Sequence, residues 1–199
     1  MSIIPTHPHW IQTFSGQALD LQAPTADMIH LVDIAVCLSR VPRFGGHTRT
    51  PYSVAQHSLV VMTAVKDMGC GPLLQLQALM HDAPEAYIGD VPSPLKRMLS
   101  DYKGIEDRIW QAVCDKFNLP ATMAPEVKDA DMLALIAEAH AHLSHGPIGG
   151  WAPERPELSA EATHHLTTPY FMDREQGSLA SLFTVRVHAL QRELALVSA

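Results

Sequence analysis

Cationic residues are in short supply: 14 Lys and Arg face 21 Asp and Glu in 199 residues, a formal charge of −7. That balance argues against a protein whose main partner is the phosphate backbone of a nucleic-acid polymer. A small anionic ligand stays compatible with it, because a few local cations or a bound metal override the average field. Cysteine is scarce too. The three thiols, Cys37, Cys70 and Cys114, are odd in number and far apart, which fits buried apolar thiols in a reduced intracellular chain better than a disulfide scaffold. No apolar run approaches the ~20 residues a membrane helix requires, and the stretch around Val60 to Val65 meets polar residues within two turns. The opening MSIIPTHPHW lacks a basic segment followed by an apolar one and runs into Pro5 and Pro8, so secretion is not expected and a cytoplasmic location is. Internal repeats, low-complexity tracts and a glycine-rich phosphate loop are also missing.

What is present is an apolar fraction of 47%, enough for a real core in one domain, and a periodicity that is helical almost throughout. The spacing predicts helices over Thr25–Leu38, over SVAQHSLVVMTAVKDM with Ser53 as its cap, and from Pro72 to about Tyr87. Ile105, Ile109, Val113 and Phe117 form the i, i+4 stripe of a fourth, with Asn118 and Pro120 beyond its end. Further helices are expected between Pro125 and Leu143 and from about Arg174 to Leu196. Residues 41–52, with Pro42, Gly45, Gly46 and Pro51, read as a loop. Residues 10–21 can hold a short hairpin turning at Gly16. The expectation is an all-α helical bundle filling one domain over residues 1–199, with an N-terminal appendage over about 1–24 and an irregular excursion over about 145–172.

Twelve histidines raise the question of which bind something. His140, His142 and His145 near one helix end, and His164-His165 in the excursion, show no ligand pattern. His57, the pair His81-Asp82 and Asp131 lie on separate predicted helices. Imidazole nitrogen and carboxylate oxygen suit a borderline divalent cation, and two of each leave coordination positions free for water and a substrate oxygen, as in a catalytic site. Adjacent helical residues point about 100° apart, so His81 and Asp82 share one ion only where several helices meet.

The words around these residues, SVAQHSLVV, ALMHDAPEAYIGDVPSPLK and VKDADML, follow the order H, then HD, then D. In this the chain resembles the HD-domain phosphohydrolase superfamily, and within it the bacterial 5′-deoxynucleotidases and the phage dATP triphosphohydrolases. The resemblance is dense from Arg40 to Leu99 and returns around Asp131. It implies an HD-domain bundle with a metal site between helices, and His57, His81, Asp82 and Asp131 as the metal ligands. Glu85 matches the catalytic glutamate that organises the attacking water, and Asp90 the acid that positions the nucleophile or protonates the leaving oxygen. Arg43 matches the arginine of the family's Arg-aromatic pair as a phosphate-binding cation, and Lys96, at the end of the PSPLK turn, is a second candidate. Phe44 stands where the bacterial enzymes carry a tryptophan against the sugar, and Pro94 where the phage enzymes place a proline against the base. The implied cofactor is a divalent ion, Zn, Co or Mn at the His/Asp site with Mg as a second ion. The implied substrate is a small deoxynucleotide, dATP foremost, cleaved to deoxynucleoside plus triphosphate or phosphate by a homo-oligomer without membrane or nucleic-acid partners. Alternatives are hydrolysis of (p)ppGpp or another phosphoester, or a non-catalytic sensing module.

Overall fold

A computed structural model of the chain describes residues 6–149 and 175–197. The excursion expected over about 145–172, with His164 and His165, falls almost wholly outside the described residues. What is described is mostly helical, and no helix is long and apolar enough to cross a membrane. The two strands, β1 (Trp10–Gln12) and β2 (Ala18–Asp20), form an antiparallel hairpin. Its turn uses Gly16 at φ 79°, where a side chain would be strained. The buried Asp33 carboxylate, in the first turn of α1 (Leu31–Leu38), ties that turn to the bundle by accepting from the Ser15 N–H and hydroxyl at 2.6 and 2.9 Å. The segment before α1 is a single 3-10 turn (Ala26–Met28), so the periodicity beginning at Thr25 belongs to two pieces.

Helix α2 (Val54–Asp67) is the central rod. Ser53 and Gln56 close a capping box at its start, satisfying two end donors reciprocally. Val54, Ala55, Leu59, Val60, Val61 and Val65 are completely buried, as in a helix surrounded by others. Against it lie α3 (Pro72–Met80) and α7 (Pro125–His142), and α8 (Gln176–Val197) packs over α1 and α3. Between them come the short α4 (Glu85–Ile88) and α5 (Ser93–Lys96), then α6 (Tyr102–Phe117), which ends on Asn118 in the left-handed conformation. Phe183, Leu59, Leu76, Leu79 and Ile109 are fully buried members of one core.

The helix expected from Pro72 to about Tyr87 is broken. Pro84 has no N–H to offer the Met80 carbonyl; the backbone turns over residues 81–84, and α4 restarts with the Glu85 N–H on the Asp82 carbonyl at 2.9 Å. His81 and Asp82 therefore sit on a tight turn rather than within a helix. A second tether sets α7. The buried Gln77 amide donates to the Pro120 and Thr122 carbonyls and accepts from the Ala124 N–H, fixing the loop that leads into the helix carrying Asp131.

Candidate functional site

His57 points out of α2 at a level where every neighbour on that helix is buried, so its ring needs partners from other elements. It finds them on the 81–84 turn and on α7. His57 Nε2 lies 3.3 Å from His81 Nε2, 3.4 Å from Asp82 Oδ2 and 3.1 Å from Asp131 Oδ1. His81 Nε2 is 3.1 Å from the same Asp82 oxygen and 3.8 Å from that of Asp131. The ligand atoms of His57, His81 and Asp131 all fall within 4.8 Å of one another and can hold a metal ion.

The opposite edges of both rings show why this set fits a cation. His81 Nδ1 meets the Ala78 carbonyl at 2.8 Å, and a carbonyl only accepts, so Nδ1 carries the hydrogen. His57 Nδ1 meets Glu138 Oε1, also at 2.8 Å, and this carboxylate is held below its usual range, against burial, chiefly by the charge of His57. With both hydrogens committed there, each neutral ring presents its Nε2 lone pair inward. Two nitrogen lone pairs and two carboxylates then converge, four acceptors that only a positive charge reconciles. In the protein alone, protons serve. Burial opposes them, yet the His81 imidazole is lifted well above its ordinary value by Asp82 and Asp131, and Asp82 is held down at about 2 by His81.

Beside the cluster opens a cavity of about 380 Å³ lined by Arg43, Phe44, Asp82, Glu85, Asp90, Pro94, Lys96, Asp131 and Leu135. All the residues singled out in sequence, apart from the enclosed His57 and His81, thus border one space. Glu85 is 4% exposed; burial first, then the Asp82 and Asp90 charges, push its carboxyl up to about 9. Its Oε2 is buried with no hydrogen-bond partner among the described residues. Asp90 is raised by burial, with Arg43 pulling the other way. Lys96 Nζ donates to Glu85 Oε1 at 3.3 Å and to Glu106 Oε1 at 2.8 Å, so carboxylates already hold this ammonium at the cavity wall. Phe44 stands at φ 55° beside Gly45 at φ 58° and Gly46 at φ 80°. A left-handed phenylalanine costs roughly 1–2 kcal/mol, and here it turns the ring toward the Arg43 guanidinium, 5.4 Å from the ring centre. A second cavity, of about 320 Å³, lies behind the 39–53 segment and contains none of the cluster.

Sequence reasoning missed Glu138, Tyr52 and Glu106. Glu138 is completely buried on α7; its Oε1 also accepts the Tyr52 hydroxyl at 2.8 Å, and its Oε2 takes Arg43 Nη2 at 3.5 Å. The other terminal nitrogen of Arg43, Nη1, donates to Asp90 at 3.4 Å. One signal was available, a glutamate inside the apolar run Ile136, Ala137, Ala139.

No family model matches the chain. Among curated proteins, the uncharacterized protein YfdR of Escherichia coli is 43% identical over 129 residues, 65% of this chain and 70% of that protein. An uncharacterized protein of Rhodobacter capsulatus is 34% identical over 196 residues, 93% of this chain and 97% of its own length. The dATP triphosphohydrolase of cyanophage S-2L is 31% identical over 137 residues, 62% of this chain and 75% of the phage protein.

Proposed function

This chain belongs to the family that includes the cyanophage S-2L dATP triphosphohydrolase and YfdR, and on that footing we propose that it is an HD-domain, divalent-metal-dependent phosphohydrolase acting on deoxynucleotides, dATP foremost. The observation that carries the reading is the convergence of four acceptor atoms, His57 Nε2, His81 Nε2, Asp82 Oδ2 and Asp131 Oδ1, which call for positive charge and would suit a metal ion in place of the protons. These four residues would hold Zn, Co or Mn, with Mg as a second ion on the phosphates. When bound, such an ion polarises a phosphate oxygen and acidifies a water.

The remaining work falls to the protein's own groups. Glu85 acts here in its ionised form, which positive charge beside Asp82 would favour over the protonated form held in the metal-free protein, and takes the proton of the attacking water as its oxygen bonds to the phosphorus nearest the nucleoside. The bond from that phosphorus to the 5′ oxygen breaks, and Asp90, raised by burial, returns a proton to the leaving oxygen. Arg43 gathers non-bridging phosphate oxygens with its guanidinium fork. Lys96 adds positive charge from the cavity wall and stays near Glu85 throughout. Phe44 and Pro94 bound the space for sugar and base. The products are deoxynucleoside plus triphosphate from a dNTP, or plus phosphate from a monophosphate.

The test is chromatographic product analysis on dAMP, dATP, dGTP, ATP and ppGpp with Co, Mn, Zn or Mg, beside Asp82→Ala. Deoxynucleoside released by the wild-type protein alone, fastest from dATP, is the expected result. Turnover of ppGpp only would move the substrate class, and silence on every nucleotide would overturn the reading.

A further inference from the structure

We infer that Glu138 is a positioning residue that sets His57 as a metal ligand and, with its second oxygen, aims Arg43, so that one buried carboxylate joins the metal site to the phosphate-binding site. The inference rests on the function proposed above and adds to it a residue outside the H, HD, D pattern. Glu138 lies seven residues after Asp131, two helical turns along α7, and therefore on the same face. Burying a carboxylate completely is costly unless charged or strong donors surround it. Here the donors come from three other parts of the chain: His57 Nδ1 from α2, the Tyr52 hydroxyl just before the cap of α2, and Arg43 from the loop at the cavity mouth. The Tyr52 ring is itself stacked at 4.0 Å on His142, which fixes the hydroxyl that shares Oε1 with His57.

The two imidazoles of the cluster are held differently. His81 gives its Nδ1 hydrogen to a neutral carbonyl, whereas His57 gives its own to a carboxylate. A carboxylate partner fixes ring orientation and makes the opposite nitrogen a stronger donor to a metal, and losing it typically weakens metal affinity 10- to 100-fold. A purely structural ion pair between Glu138 and Arg43 would not require the shorter contact to fall on His57. The guanidinium in turn is stretched between Glu138 and Asp90, so its plane is set by the carboxylate that orients the histidine. Removing the charge at Glu138 should therefore loosen metal and phosphate together.

The test titrates Co(II) into the metal-free full chain and follows the visible absorption of the bound ion, for wild type, Glu138→Gln and His81→Ala. Inorganic phosphate is then added to the Co(II)-loaded proteins and followed through the same band. The expected result is that E138Q weakens Co(II) binding 10- to 100-fold, shifts the band and weakens phosphate binding as well, while H81A abolishes the band. An unchanged Co(II) affinity and band in E138Q, with H81A still inactive in binding, overturns the role of Glu138 and leaves the proposed function standing. A wild-type affinity no different from that of H81A overturns the metal-site reading instead. Unchanged phosphate affinity in E138Q overturns the link to Arg43. Should E138Q fail to fold, Glu138→Asp keeps the charge one methylene short of His57; the same weakening is expected, and an unchanged affinity there overturns the inference.

Discussion

Replacing Glu85 by glutamine should make the metal-free protein more stable while it removes catalysis. The carboxyl is enclosed between two acidic neighbours and holds its proton up to a pH of about 9, against an ordinary value of 4.5. Between those limits the unfolded chain is ionised at this position and the folded chain is not, so folding must take up a proton and stability falls as the pH rises. Each pH unit corresponds to about 1.4 kcal/mol, which places the penalty on the order of 3 kcal/mol at pH 7. Glutamine has the same shape and no charge to suppress. It gives up an ionic contact with Lys96, but that ammonium keeps its shorter bond to Glu106 at 2.8 Å. Urea unfolding in the presence of chelator, at pH values from 5 to 8, should show E85Q gaining on wild type by about 1.4 kcal/mol per unit, from a small difference at the acid end. With metal restored, turnover should fall by roughly 10²- to 10⁴-fold, the usual contribution of a positioned proton acceptor. A flat difference across the pH range, or E85Q the less stable protein at pH 8, would refute the electrostatic account of this site.

Arg43→Lys cannot span Glu138 and Asp90, and should raise the nucleotide KM about tenfold or more and cost roughly 1–3 kcal/mol of stability; unchanged steady-state kinetics would count against Arg43 as the phosphate anchor. Co(II) at a hundred times its Kd should stabilise the wild-type fold by about 2.7 kcal/mol and do nothing for His81→Ala, as read by thermal unfolding with and without chelator. The buried His142 imidazole is pushed down to about 4 from 6.5, chiefly by burial. The fold thus excludes a proton that the unfolded chain accepts, so stability present above pH 6.5 is lost as the pH falls toward 4. His142→Phe, which keeps a ring against Tyr52, should flatten that slope in urea midpoints; an identical slope would assign the acid sensitivity to other groups.

The helices that carry the site were readable wherever local chemistry marks its own boundaries. Ser53 announces the start of α2, and the Ile105, Ile109, Val113, Phe117 stripe followed by Asn118 marks where α6 ends. The error at Pro84 has the opposite cause. Apolar spacing continues through Leu76, Leu79, Ala83 and Tyr87, all buried, because the turn after α3 keeps facing the core even though its hydrogen-bond ladder is cut. Burial follows the core, whereas helix continuity follows the backbone donors, and only the proline reports on the second. The same division separates the two shells of the candidate site. His57, His81, Asp82 and Asp131 stand out as residue types in a recognisable order. Glu138 does not, because what it does depends on partners 81, 86 and 95 positions away in sequence, brought to it by the packing of α7 on α2 and by the loop before α2. Which nitrogen of His57 faces the cluster is decided by that packing. A substitution of a core residue that shifts α7 against α2 would therefore act on the candidate metal site through the histidine hydrogen bond, with every residue of the H, HD, D pattern intact.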